Sequence, residues 1–118
     1  MEGWLKPMLK CKFPFIPGMD FSGVVTLVGI GCSRFSVGDQ VFGKSSNGSL
    51  AEFMCVSEDR AALKPKNISW VEAAALPLSG MTALEAIHSA AIPRGGKVLI
   101  LGGSSSTGLC SIQIAKSK

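Results

Sequence analysis

The sequence predicts an α/β fold with a β part in front of it: short strands forming a partial barrel, then the first strand-turn-helix unit of an α/β domain. Three observations carry this. Residues 98–101, VLIL, form an unbroken apolar run behind a Gly-Gly turn, the pattern of a strand buried on both faces of a parallel sheet. A run of glycine, serine and threonine follows, and then Leu109, Ile112 and Ala115 recur three apart, the spacing of a helix packed back on that strand. Upstream, several short β-branched or alternating runs are each closed by Gly, Asn or Pro, as the strands of a small barrel are.

The turn between the VLIL run and the helix carries a chemical meaning. The first turn of a helix leaves backbone N–H groups unpaired, with the positive end of the helix dipole behind them, so the turn suits a phosphate. The candidate cradle is Gly103, Ser104, Ser105, Ser106, Thr107 and Gly108. Measured against G-x-G-x-x-G, Gly103 is the first glycine and Gly108 the third, while Ser105 stands where the second belongs. That serine adds a Cβ at the point of closest approach, and the neighbouring hydroxyls offer compensating donors. The alternative is a serine-rich turn with no ligand.

Taken in order, residues 1–17 are too rich in proline for a helix and too irregular for a central strand, and are expected to form an extended lead-in. Residues 24–28, VVTLV, are expected to be a strand, stopped by Gly29-Ile30-Gly31; no third glycine or helical period follows that pair, so it reads as a turn. Further strands are expected over 40–42, 50–56 and 61–63. Ser69 and Glu72 have the spacing of a capping box and open a short helix at 73–76. Pro77 breaks it, and a second helix from Ser79 presents Met81, Leu84, Ile87 and Ala91 on one face until Pro93-Arg94-Gly95-Gly96.

Composition narrows the classes. The 118 residues are 47% hydrophobic with a net charge of +4, the balance of a globular domain. The lysines and arginines are scattered, without the basic and aromatic interleaving of a nucleic-acid surface. No apolar run approaches the roughly 18 residues that span a bilayer, and the start is unlike a secretory signal, so the expectation is an intracellular protein with no transmembrane segment. Cys11, Cys32, Cys55 and Cys110 are far apart, without a C-x-x-C pair, which gives no support for a zinc site. His88, the single histidine, has Glu85 one turn earlier but no nucleophile to complete a relay, and reads as a surface or core-edge residue.

Five stretches together resemble one family. FIPGMDFSGVV at 15–25, VG at 28–29 with Phe35 and VGDQVFG at 37–43, LAEF at 50–53, AAALPLSGMTA at 73–83, and the glycine-serine turn occur in an order and spacing similar to the medium-chain dehydrogenases/reductases, nearest the zinc-free, zeta-crystallin-like quinone oxidoreductases. The resemblance implies a partial GroES-like domain at 1–76, a connecting helix at 77–94, and the start of a Rossmann NAD(P)-binding domain at 95–118. It implies hydride transfer from NADPH to a quinone or an α,β-unsaturated carbonyl, with Thr82 near the nicotinamide and residues 103–108 on the pyrophosphate. Thr82 equally reads as a helix hydroxyl bonded to its own backbone. Asp20, in the Pro-Gly-x-Asp motif, either orients the cleft backbone or touches substrate. No catalytic side chain is singled out.

Zinc-dependent members carry a histidine where this chain has Met19, a poor ligand for a hard divalent ion, so no metal is expected. Relatives also carry an earlier segment, with a tyrosine in many members, and further sheet strands; the acidic or basic residue that selects NAD or NADP lies some twenty residues past the turn. The chain is therefore expected to be a fragment, inactive or weakly active alone, from a cytoplasmic, mitochondrial or plastid enzyme for which a homo-oligomer is one expected state. Two other classes remain: a non-catalytic binding or structural protein on the same scaffold, and an enoyl-reductase module of a larger synthase.

Overall fold

The computed structural model describes residues 13–118; most of the expected extended lead-in, and Cys11, lie outside that range. Three strands, β1 (Asp20–Val24), β2 (Gln40–Lys44) and β3 (Ala61–Leu63), form one antiparallel sheet in the order β1-β2-β3. Three α-helices follow: α1 (Trp70–Ala75), α2 (Pro77–Ser89) and α3 (Ser106–Lys116).

The register explains the two faces of the sheet. Phe21 is opposite Gly43, which is opposite Ala61, and Val41 lies two residues from Gly43 on the same face. Phe21, Val41 and Ala61 form the buried cluster, flanked by Val25, Phe35, Met54 and Val56. Gly43 is needed between them, because a Cβ there would fall 2.1 Å from the Arg60 carbonyl oxygen. The opposite face carries Asp20 and Ser22, and it is β1 that packs on α1.

A side-chain clamp closes the loop before β2 onto the turn before β3. The Glu58 carboxylate accepts from the Cys32 thiol and from the amides of Arg34 and Ser33, the latter two at 3.1 Å, and these bonds hold its pKa below the ordinary 4.5. The Arg34 guanidinium returns a bond to the Glu58 carbonyl at 2.8 Å. A folded value below the unfolded one means that this contribution is complete above about pH 4.5 and is lost as the pH falls through the folded value. Glu58→Gln is therefore expected to lower the urea midpoint at pH 7, and to leave a much smaller difference from the unsubstituted protein at pH 3.

Several expectations need correction. The strand expected at 24–28 starts earlier, as β1, and ends at Val24; beyond it only Val25 is tied, to Asp39 and Gly38. The strand expected at 50–56 is absent: Leu50 donates to the Pro17 carbonyl and no ladder forms. Among the described residues the expected partial barrel amounts to an open three-stranded sheet. Residues 98–101 also lie outside any ladder, so the expected first strand of a Rossmann βα unit is not formed as a strand. A parallel strand exists only by pairing, and among the described residues nothing pairs with this segment. Leu99 and Leu101 are 84% and 86% exposed as a result.

The helices occur where expected, with only part of each expected face inward. The capping box on α1 is complete: Ser69 Oγ accepts from the Glu72 amide at 3.2 Å and the Glu72 carboxylate from the Ser69 amide at 2.7 Å. Pro77 does not separate a break from a later start; it occupies the first turn of α2, where its missing N–H costs nothing. On α2 the buried residues are Pro77, Ala83 and Ile87, while Met81 and Leu84 face outward. On α3 they are Gly108 and Ser111, with Ile112 and Ala115 half-buried and Leu109 exposed. No helix among the described residues is long and apolar enough to cross a membrane.

Candidate cofactor site

The candidate site is the turn that feeds α3. Gly102 takes φ +74, a left-handed conformation that glycine adopts without a Cβ penalty, and its carbonyl receives the Ser105 amide at 2.9 Å. Ser105 is the N-cap of α3: its Oγ accepts from the Gly108 amide at 3.1 Å and donates to the Gly102 carbonyl at 2.8 Å. Gly108 is pressed against the turn, since a Cβ on it would lie 2.3 Å from Gly102 O and 2.8 Å from Gly103 Cα.

The Ser105 side chain folds inward to cap its own helix, so its hydroxyl proton is committed and is not a further donor for a ligand. Ser104 and Ser106 are exposed beside it, Thr107 is half-buried, and the amides of Ser106 and Thr107, in the first helical turn, have no acceptor within the helix. A diphosphate fits such a place, with amides and small side chains on one side and the helix dipole behind. The cradle was expected from Gly103 onward; the structure adds Gly102, the glycine directly after the apolar run, as a residue that turns the chain.

Thr82 lies on the exposed side of α2, and its Oγ1 donates to the Leu78 carbonyl at 2.8 Å. Its hydroxyl oxygen retains lone pairs to accept a further bond. α3 packs principally on α2, so Thr82 and the turn belong to one helical pair. Between the helices and residues 92–100 is an open cleft of about 340 Å³, lined by Ile87, Ile92, Val98, Ile100, Ile112 and Ala115 with a basic edge at Arg94 and Lys116. Asp20 does not reach toward this cleft from open solvent; its Oδ1 accepts from the Leu78 amide at 2.9 Å. His88 and Glu85 are both exposed on α2, and Met19 is 44% exposed at the entry to β1. Among the described residues no three His, Cys, Asp or Glu side chains are grouped to hold a metal.

A sheet whose first strand begins in a Pro-Gly-x-Asp segment, joined by a linking helix to a glycine-serine turn, defines the class. Residues 1–66 match the alcohol dehydrogenase GroES-like domain family. The chain belongs to that family, and with its quinone oxidoreductase relatives to the medium-chain dehydrogenase/reductase superfamily of oxidoreductases. It is 43% identical to the 2-methylene-furan-3-one reductase of Solanum lycopersicum over 87% of this chain and 29% of that protein. It is 37% identical to the chloroplast envelope quinone oxidoreductase homolog of Arabidopsis thaliana, over 98% of this chain and 38% of the relative. The NADPH-dependent alkenal/one oxidoreductase of the same plant is 39% identical over 87% and 29%.

Solved structures agree. An alcohol dehydrogenase superfamily protein from Novosphingobium aromaticivorans superposes with a TM-score of 0.88 at 36% identity, over 95% of this chain and 36% of that one. A mycobacterial protein complexed with NADPH gives 0.84 at 31% identity, over 96% and 36%. An enoyl reductase gives 0.82 at 34%, over 87% and 31%. The chain thus spans about a third of the length of the relatives it matches.

Proposed function

We propose that this chain supplies part of the cofactor side of a zinc-independent reductase that uses NADPH to reduce a quinone or an α,β-unsaturated carbonyl. The observation that supports it best is the turn at residues 102–108, where a left-handed glycine, a self-capping serine and a Cβ-free helix contact shape the start of α3, whose Ser106 and Thr107 amides have no acceptor within the helix. When bound, NADPH supplies the hydride. Gly103, Ser104, Ser106 and Thr107 hold its diphosphate through amides and hydroxyls, Ser105 keeps the helix start in place, and Thr82 offers its hydroxyl oxygen toward the nicotinamide side. Hydride transfer needs cofactor and acceptor held in contact, and these residues would fix the cofactor's side of that contact.

The names of the relatives support the acceptor class: one reduces an alkenal or alkenone with NADPH, another a methylene-furanone. Zinc independence rests on donor chemistry, because Met19 offers a thioether where a zinc ligand would stand. A plastid or mitochondrial location is supported by three relatives, two of the chloroplast and one of the mitochondrion.

The 118 residues alone are proposed to bind NADPH weakly and not to turn over. Residues 98–101 expose their leucines, and a site that must order its own supporting strand gives up part of the binding energy to that ordering. Calorimetric or NMR titration is expected to give a Kd above about 10 μM, with no NADPH oxidation on adding an ortho-quinone or an enone. Binding below about 1 μM would overturn the inactive-fragment reading. A complete lack of binding would overturn the cofactor reading and favour a non-catalytic role.

A further inference from the structure

We propose that Asp20 is a positioning residue for the cofactor site, acting as the N-terminal cap of α2 from across the fold; this rests on the reading of Thr82 and residues 102–108 given above. Helix α2 lacks a cap of its own. Its N-cap position is Leu76, whose side chain accepts nothing, and Pro77 has no N–H, so the amide of Leu78 is the first donor in need of a partner. Asp20, 58 residues away on β1, fills that need with Oδ1 at 2.9 Å. A carboxylate at this end of a helix also meets the favourable end of the dipole.

The same residue, Leu78, then carries the effect onward. Its amide is held by Asp20 and its carbonyl receives the Thr82 hydroxyl at 2.8 Å, so one peptide residue links the sheet to the side chain assigned to the nicotinamide. α2 in turn is the principal support of α3, whose first turn presents the diphosphate cradle. Ser22 makes a parallel attachment two residues along β1, donating to the Trp70 carbonyl of α1 at 2.7 Å. The two positions share a face of the strand, but α1 carries no candidate cofactor residue, so Ser22 provides an internal control.

The experiment compares Asp20→Ala, Asp20→Asn and Ser22→Ala in the full chain, reading amide hydrogen exchange and NADPH titration by NMR. Asp20→Ala is expected to raise exchange at Leu78 and Ser79 at least tenfold and to weaken NADPH about tenfold, in line with loss of a helix cap. Asp20→Asn retains an oxygen acceptor and is expected to restore most of both; it is also the variant to read if alanine unfolds the sheet, with a smaller change of the same sign in both measurements. Ser22→Ala is expected to lower stability while leaving NADPH affinity within twofold. Unchanged exchange at Leu78 in Asp20→Ala overturns the cap. Faster exchange with unchanged NADPH affinity overturns the positioning role alone. Failure of the unsubstituted chain to bind NADPH overturns the cofactor reading, and this proposal with it.

Discussion

Replacing Gly108 by alanine is expected to separate α3 from the glycine turn, to destabilise the protein by about 2–4 kcal/mol, and to remove measurable NADPH binding. The added Cβ would fall 2.3 Å from Gly102 O and 2.8 Å from Gly103 Cα. Both are backbone atoms, so no side-chain rotation relieves the overlap, and either the turn or the helix must move by about an ångström. The Gly108 amide is also the donor that Ser105 captures, which ties the strain to the N-cap of α3. Gly80→Ala is the control: it lies in α2, nothing stands within 4 Å of its Cβ position, and helix propensity alone favours alanine by up to about 1 kcal/mol. Denaturant unfolding followed by circular dichroism checks both. A Gly108→Ala midpoint equal to that of the unsubstituted protein would show that α3 does not sit on the turn.

The second large effect is expected at Gly48. Its φ of +89 strains any residue with a Cβ, and that Cβ would meet the Ile16 carbonyl oxygen at 2.2 Å and the Ile16 side chain at 2.7 Å. Two loops cross here, with the Pro17 carbonyl accepting from the amides of both Ser49 and Leu50 at 3.0 Å. Gly48→Ala is expected to cost about 3 kcal/mol or more, combining backbone strain with the forced separation of the loops. Gly31 has nearly the same φ, +86, and open space around it, so Gly31→Ala isolates the conformational part at about 1–2 kcal/mol. Equal losses at the two positions would show that the crossing contributes nothing.

The parts of this fold that were legible in the sequence are those decided within a few residues. The Ser69-Glu72 box closes over three positions, β2 and β3 occupy the short runs expected of them, and the turn into α3 begins where a glycine pair follows an apolar run. The inward face of α2 was legible only in part, since Ile87 is buried as expected. Periodicity favoured the large residues Met81 and Leu84, yet those are 61% and 47% exposed, while Ala83 is fully buried. A helix that must approach its neighbours closely turns its small residues toward them, and a spacing rule weighted by hydrophobicity misses that. For Asp20 the sequence offered backbone orientation as one of two readings and left the partner unnamed, because that partner is an amide 58 residues away and any amide looks alike in a sequence.

By itself the sequence determined the family, the order of sheet, linking helix and glycine-serine turn, and the identity of the residues around that turn, since each depends on local chemistry. Only the tertiary structure decided that Ser105 caps its own helix, that Asp20 caps α2, and that residues 98–101 do not become a strand. The physical reason is the same in each case: a hydrogen bond needs a partner, and which partner is present depends on what the rest of the chain brings within reach.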